Sequence, residues 1–270
     1  MEEKDLFTLK GKTAIVTGAT GLLGKHHCHA LAQAGAHVIA CDLDKSKCES
    51  LASELSTAST GMAMDVLVAD SIKNVLQSTL ETFGYVDILV NNAAINDMFE
   101  TPALAAEKSK FENYPLDMWQ RSLDVNVTGI FLCSQIIGPE MARSGAGSII
   151  NIASTYGIVA PDQSLYVDDQ GNQKFYKSPS YPASKGAVIA FTKYLAAYWG
   201  KSGVRVNTLS PGGVENAQDD FFIESYSAKT PAGRMAQPTD YKGAIVFLAS
   251  DASSYMTGAN LIIDGGWTIW

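Results

Sequence analysis

The chain has 270 residues, 46% of them hydrophobic and 18% charged, with 20 Lys+Arg against 28 Asp+Glu for a formal net charge of −8. This composition supplies a sizeable core and argues against disorder, while cations scattered as pairs such as Lys45/Lys47 and Lys108/Lys110 do not make a nucleic-acid groove. No apolar run approaches the roughly 20 residues of a membrane span, the acidic start Met1-Glu2-Glu3-Lys4-Asp5 lacks a signal-peptide pattern, and the four cysteines (Cys28, Cys41, Cys48, Cys133) are too few for a disulfide scaffold.

The expectation is a cytoplasmic globular protein that works on a small molecule, with no nucleic-acid or membrane partner. In chain order, β-branched runs predict strands over 13–17, 37–41, 61–64, 87–91, 148–153, 204–208 and 261–263. Helical spacing between them predicts helices over 22–34, 71–83, 115–143, 181–200 and 239–249. Strands apolar on both faces and separated by helices indicate parallel βαβ units covered on both sides. The fold class expected is therefore α/β, a single-domain doubly wound parallel sheet of about seven strands spanning 1–270. Two longer irregular segments, 158–180 and 211–238, are read as a substrate-loop insertion and a lid, because long loops in compact domains are usually functional.

The first strand runs into Thr17-Gly18-Ala19-Thr20-Gly21-Leu22-Leu23-Gly24, and a helix follows. Glycines allow a tight turn with close backbone approach, and amides at a helix start attract a pyrophosphate. Gly18, Thr20, Gly21, Leu22, Leu23 and Gly24 are thus candidate cofactor contacts; the plain alternative is an ordinary tight βα connection. Asp42 ends the second strand, where a carboxylate accepts hydrogen bonds from ribose hydroxyls and repels a 2′-phosphate. Its plain alternative is the N-cap of the helix beginning near Lys45. Ala19, Thr20 and Leu43 offer no cation for such a phosphate, so NAD is favoured over NADP. Further on, Tyr181 and Lys185 stand at i and i+4, on one helical face. Free tyrosine titrates near ~10, and a neighbouring ammonium favours the phenolate, which would let Tyr181 exchange a proton with an alcohol or carbonyl.

With these residues in place, the chain from about Gly11 to Trp267 resembles the short-chain dehydrogenase/reductase family, in its classical branch. The resemblance includes Asp65-Val66, Asn91-Asn92-Ala93-Ala94, Asn126 in Asp-Val-Asn-Val-Thr-Gly, Ser154 in Asn-Ile-Ala-Ser, Pro211-Gly212 and Asp264-Gly265-Gly266. It implies a Rossmann fold and an NAD-dependent interconversion of a secondary alcohol and a ketone. By the same resemblance Tyr181 is the general acid/base, Lys185 lowers its pKa and binds the nicotinamide ribose, and Ser154 bonds the reacting oxygen. Asn126 holds a water in a proton relay through Lys185. Asp65 and Val66 line the adenine; Asn92, Ala93 and Ala94 pass beside the cofactor; and Pro211, Gly212 and Val214 flank the nicotinamide. For Asn92, Asp65 and Asp264 the alternative is simple turn closure.

Three departures from the family pattern stand out. The turn spacing Gly18/Gly21/Gly24 is associated with the extended branch, which includes sugar-nucleotide epimerases and dehydratases. Ala94 replaces a usual glycine, and Asn216 stands where a threonine often meets the cofactor phosphate. Alternatives to a polyol- or sugar-type dehydrogenase are a 3-oxoacyl-thioester or hydroxysteroid-type reductase, an epimerase or dehydratase, and a non-catalytic NAD sensor.

His26-His27-Cys28-His29 resembles a metal cluster, but only His26 and His29 share a helical face, and a zinc site wants three or four convergent ligands. No metal is expected. The 115–143 and 181–200 helices carry more apolar surface than one sheet contact needs, and the tail Trp267-Thr268-Ile269-Trp270 would be poorly soluble if exposed. With the family resemblance, these features imply a homotetramer. Ser154 and Tyr181 lie 27 positions apart, about twice the separation usual in the family. The added segment holds Asp162, Gln163, Ser164, Tyr166, Asp168, Asp169, Gln170, Asn172, Lys174, Tyr176 and Lys177. Such a lining suits a sugar, sugar acid or polyol, and the run from Tyr156 to Asp162 resembles sugar- and surface-glycan-modifying members. The plain alternative is a surface insertion packed on a neighbouring subunit.

Overall fold

The computed structural model describes residues 5–96, 102–168 and 170–270; the first four residues of the acidic start and Asp169 lie outside the described residues. Seven strands form one sheet, β1 (Thr13–Thr17), β2 (His37–Asp42), β3 (Thr60–Ala63), β4 (Ile88–Asn91), β5 (Gly147–Ile152), β6 (Val204–Pro211) and β7 (Asn260–Ile263). Their order is β3-β2-β1-β4-β5-β6-β7, and every neighbouring pair is parallel. The order reverses between β1 and β4, which opens a crevice at the carboxyl ends of those strands where ligands of such sheets bind.

The side-chain period of two explains why these runs become strands buried on both faces. Ala14, Val16, Val38, Ala40, Ile88 and Val90 face one core, under α1 (Gly24–Gln33), α2 (Lys45–Glu54) and, further along the chain, α9 (Lys242–Ala249). Ile15, Ile39, Leu89, Ile149 and Val206 face the other. That core is covered by α3 (Ala69–Phe83), α6 (Gly129–Ser144) and α7 (Ser180–Trp199), the α4 (Pro102–Lys108) and α5 (Leu116–Leu123) helices lying between α3 and α6 in sequence.

Several boundaries differ from the sequence reading for local reasons. The predicted 115–143 helix is α5 and α6 joined by a single π-helical turn at Asp124–Thr128, an insertion that recurs at functional sites. The 211–238 segment is not irregular throughout, because α8 (Asp220–Lys229) forms within it, capped by Asp219, whose side chain accepts from Phe222 N. Asp44, not Asp42, caps α2 by accepting from Lys47 N; Asp42 is left for other partners. Trp267 is not part of an exposed tail. It is buried and stacks on Tyr226 at 4.2 Å between centroids and 7° between planes, whereas Trp270 is 78% exposed. All four cysteines are buried and free. No helix among the described residues is long and apolar enough to cross a membrane.

Candidate active site

A cleft of about 1090 Å³ opens along the carboxyl ends of the strands. It runs from the glycine turn past Asp42, Asp65 and Val66, then Asn92 to Ala94, to Ser154, Tyr181 and Lys185, and on to Pro211, Gly212 and Val214. Every residue singled out above as a cofactor or catalytic group lines it except Gly24 and Asn126.

Two glycines explain the shape of the first end. Gly18 has φ +61°, and a Cβ there would stand 2.7 Å from Ala93 Cα. At Gly24 a Cβ would be 2.1 Å from the Gly18 carbonyl oxygen, so only glycine lets α1 start this close under the turn. Gly24 therefore shapes the cradle from below and does not face the cleft. Thr17 sits under the same turn, its hydroxyl accepting from Asn92 N at 3.0 Å and Ala93 N at 2.9 Å. Asn92 Nδ2 donates to the carbonyls of Thr17 (3.1 Å) and Gly18 (2.9 Å), which is the turn-closing alternative for that residue. Asp264 likewise closes a turn, accepting from Gly266 N and from Thr268.

Asp42 faces the cleft with one carboxylate oxygen accepting from Thr20 N (3.0 Å) and Thr20 Oγ1 (2.6 Å), the other from Leu43 N (2.9 Å). A glycine cradle that side chains would fill, open amides above a helix start and a carboxylate one strand away fit an adenine dinucleotide.

At the other end of the cleft, α7 presents Tyr181 and Lys185 one turn apart. The Tyr181 hydroxyl hydrogen-bonds the Ser154 side chain, and desolvation holds its pKa above the ordinary phenol value. Lys185 is 2% exposed and its Nζ donates to the Ile152 carbonyl at 2.8 Å. Burial brings its pKa down to about 8. The expected lowering of the Tyr181 pKa by Lys185 is not what this arrangement shows. The ammonium lies 5.7 Å from the ring centroid, and Ser154 is the group that opposes desolvation.

Asn126 sits in the π-turn, fully buried. Its Oδ1 accepts from Ile95 N at 2.8 Å, and its Nδ2 donates to Ile95 O at 3.0 Å and Ser184 Oγ at 3.1 Å. The side chain thus clamps the strand-end segment after Ala94 to the helix that carries Tyr181 and Lys185. Those bonds make it a positioning group between two walls of the cleft.

The insertion also differs from its sequence reading. Asp168 closes a local turn, accepting from Gln170 N and from Asn172 N and Nδ2, so Asp168 and Asn172 do not line the cleft. Its contribution to the wall is Leu165, Tyr166 and the run 174–178. Tyr166 is buried with Leu165 against Tyr226, Met235 and Trp267, with Phe175 and Phe222 packed alongside. Lys174 pairs with Asp219 at 2.5 Å, and Lys229 with Asp162, so ion pairs tie the insertion to both ends of α8. The insertion is docked on α8 of its own chain.

Sequence reasoning did not assign a role to Tyr226, whose hydroxyl accepts from Gly213 N at 2.7 Å and fixes the loop after β6. It also passed over Tyr156, whose hydroxyl is 3.0 Å from that of Tyr166 at the cleft wall. Tyr156 opens the run 156–162 noted in the sequence, but no motif marks Tyr226 or pairs Tyr156 with Tyr166. They are brought together by packing between segments far apart in sequence. Among the described residues no three His, Cys, Asp or Glu side chains gather as a metal set. In the histidine run, His27 is the buried member, with neither ring nitrogen bonded.

Comparison with known proteins agrees with this geometry. Residues 18–268 match a family model described as enoyl-(acyl carrier protein) reductase. D-threitol dehydrogenase of Mycolicibacterium smegmatis is 38% identical, over 97% of this chain and 95% of that protein. 2-Dehydro-3-deoxy-D-gluconate 5-dehydrogenase of Bacillus subtilis is 36% identical, over 97% of each chain. Among solved structures, a gluconate 5-dehydrogenase from Burkholderia cenocepacia in complex with NADP and tartrate superposes with a TM-score of 0.84 at 30% identity, over 98% of each chain. The chain belongs to the classical short-chain dehydrogenase/reductase family, and is an oxidoreductase that acts on CH–OH groups and takes a nicotinamide cofactor.

Proposed function

We propose that the protein is an NAD-dependent dehydrogenase that interconverts a secondary alcohol and a ketone on a sugar, sugar acid or polyol, with Tyr181 as general acid/base. The observation that carries this reading is one continuous cleft joining the glycine cradle to the Ser154–Tyr181 hydrogen bond. The relatives named for threitol and for a deoxygluconate support a polyhydroxylated substrate, and hydroxyls of Tyr156 and Tyr166 are available on the wall.

The nicotinamide cofactor supplies the hydride acceptor for oxidation and the donor for reduction. The turn from Gly18 to Leu23 and Asp42, with Asp65, Val66 and residues 92–94, would hold its adenosine and phosphates, and Pro211, Gly212 and Val214 would flank its reactive end. Ser154 and Tyr181 together bind the substrate oxygen. Tyr181 gives it a proton in reduction and takes one in oxidation. Lys185, whose pKa burial brings down to about 8, would hold the nicotinamide ribose and can hold or release a proton on the Tyr181 side of the cleft. Incubation with NAD and a panel of polyols, sugar acids, hydroxysteroids and 3-hydroxyacyl thioesters should give NADH steadily with a polyhydroxylated compound. Turnover confined to steroids or acyl thioesters would overturn the substrate class, and absence of net NADH would favour an epimerase.

The Asp42 carboxylate at the cleft supports NAD rather than NADP. Because Asp42 also holds Thr20, Asp42→Asn is the cleaner test, since it removes the charge and keeps an acceptor. The NAD/NADP ratio of kcat/KM should narrow by about tenfold or more, the scale of a hydrogen bond to a charged group. A wild-type preference for NADP would refute the assignment.

The protein is also proposed to be a homotetramer. Tyr194 (61% exposed) and Tyr198 (66%) project from α7 in a stacked row with Phe191, beside Phe131 of α6 (42%). Such a patch marks an association surface. Sedimentation at micromolar concentration should show a species near four times 28.8 kDa, and a monomer alone would disprove it.

A further inference from the structure

Two phenols meet on the cleft wall at its catalytic end. Tyr156 belongs to the turn after β5, two residues beyond Ser154, and Tyr166 belongs to the insertion. Both line the cleft, and their hydroxyls lie 3.0 Å apart. Tyr156 N donates to Ser154 Oγ at 3.2 Å, so the turn that carries this phenol also holds the hydroxyl assigned to the substrate oxygen. Gly157 presses that turn against α7, where an added Cβ would stand 2.7 Å from the Lys185 carbonyl carbon. Tyr166 is 7% exposed. Its ring packs on Phe175 at 5.0 Å and on Phe222 at 5.7 Å between centroids, and its carbonyl accepts from Lys174 N at 2.9 Å. Backbone and packing therefore set both phenols in place before a substrate arrives.

The two hydroxyls carry two hydrogens and share one hydrogen bond. Burial pushes both phenols above their ordinary range, Tyr166 to about 12, and the Tyr181 phenol adds to both shifts. Each therefore keeps its proton at neutral pH. Whichever oxygen accepts, its own hydrogen has no acceptor among the described residues. Tyr226, in the same aromatic cluster, differs: its hydroxyl accepts from Gly213 N at 2.7 Å and also bonds the Thr155 side chain. A hydroxyl hydrogen in a desolvated site costs free energy unless an acceptor meets it, and the open side of this pair is the cleft.

We infer that the Tyr156–Tyr166 pair binds a hydroxyl on the carbon next to the reacting carbinol, so that the substrate is a vicinal diol at the point of oxidation. This rests on the reading of the site given above and narrows it. The hydrogen left over donates to the oxygen of that second hydroxyl, and a phenol lone pair accepts its hydrogen. Ser154 and Tyr181 take one oxygen of the diol and the phenol pair takes the other, which fixes the direction in which the carbon chain enters. A secondary alcohol with no neighbouring hydroxyl leaves the pair unmet, and a site built to bond a hydroxyl rejects the analogue that lacks it.

The pair meso-butane-2,3-diol and racemic butan-2-ol, which differ by one hydroxyl beside the carbinol, tests this. NADH formation gives kcat and KM for each, and ligand-observed NMR titration of the NADH-saturated protein gives binding without turnover. The wild type should favour the diol at least about tenfold in kcat/KM, the scale of one buried hydroxyl left unpaired. Changing Tyr156→Phe and Tyr166→Phe together removes both hydroxyls and keeps both rings. No orphaned donor is left, so the melting temperature should stay within a few degrees. In that double variant the preference should fall to within about threefold of unity, chiefly through KM for the diol, and either single change should leave part of it. A pair that only braced the insertion would lower the melting temperature and slow both alcohols alike, and that result would overturn the inference. So would no binding of either alcohol, or a diol preference that survives the double change. Equal oxidation of the two by the wild type would sink the role of the pair alone. Diol binding that is lost in the double variant, without oxidation of any polyhydroxylated compound, would instead sink the dehydrogenase reading.

Discussion

Replacing Tyr181 with Phe is expected to lower kcat by at least ~10²-fold, the low end of what a positioned acid/base group contributes, while NAD affinity stays within a few-fold. The ring is retained, so the packing at the start of α7 survives, and so does the contact of the Lys177 ammonium with the ring. What is lost is the hydroxyl that bonds Ser154 and that, in the proposed mechanism, exchanges the proton with the substrate oxygen. Ser154 keeps its other hydrogen bond, accepted from Tyr156 N at 3.2 Å, so the oxygen-binding side of the site is not dismantled. Ser154→Ala should cost less, because it removes a partner of the reacting oxygen and not the proton itself. Stopped-flow NADH formation, with NAD binding followed by fluorescence quenching, separates the two effects. Near-wild-type turnover in Tyr181→Phe would refute the role, and so would a loss of NAD binding as large as the loss of activity.

The sheet and the glycine-turn end of the cleft are legible in the sequence because short-range rules decide them. Apolar runs such as Thr13–Thr17 are buried along their whole length, and a strand–glycine turn–helix leaves few geometries open. Helix periodicity, however, does not distinguish 3.6 residues per turn from a single wider turn, so the π-turn that carries Asn126 was invisible. Side-chain partners were harder still. The clamp from Asn126 to Ile95 and Ser184 joins positions 31 and 58 residues apart. The Tyr156–Tyr166 pair likewise exists only once the insertion folds back on the segment after β5, and the Tyr226–Trp267 stack only once the C-terminal segment meets α8. Polar composition also misled. Of the polar residues expected to line the cleft, Tyr166, Lys174, Tyr176 and Lys177 do so, whereas Asp168 and Asn172 satisfy one another in a turn away from it.

His27 is expected to make the protein acid-labile above the pH at which ordinary carboxylates titrate. It is fully buried in α1, and neither ring nitrogen has a hydrogen-bond partner. Desolvation lowers its pKa from 6.5 to about 4, with His26 beside it a smaller cause. The unfolded chain therefore binds this proton more tightly than the folded one. The stability conferred by a neutral His27 is complete above about pH 6.5 and declines as the pH falls towards 4. At ~1.4 kcal/mol per unit, the full loss is about 3 kcal/mol, or on the order of 10² in the folding equilibrium. Asp162, Asp219 and Asp240, whose carboxyls are held below their usual range by Lys229, Lys174 and Arg234 respectively, begin to lose their pairing only below that window. They are also common to wild type and variant, so the difference between the two isolates His27. His27→Leu replaces an orphaned polar ring with apolar volume, and should match or exceed wild-type stability at pH 7. Urea midpoints taken between pH 7 and pH 4.5 should fall clearly less for His27→Leu than for the wild type. Parallel curves would mean that the imidazole finds a proton-binding partner in the fold, and would remove His27 as the source of acid sensitivity.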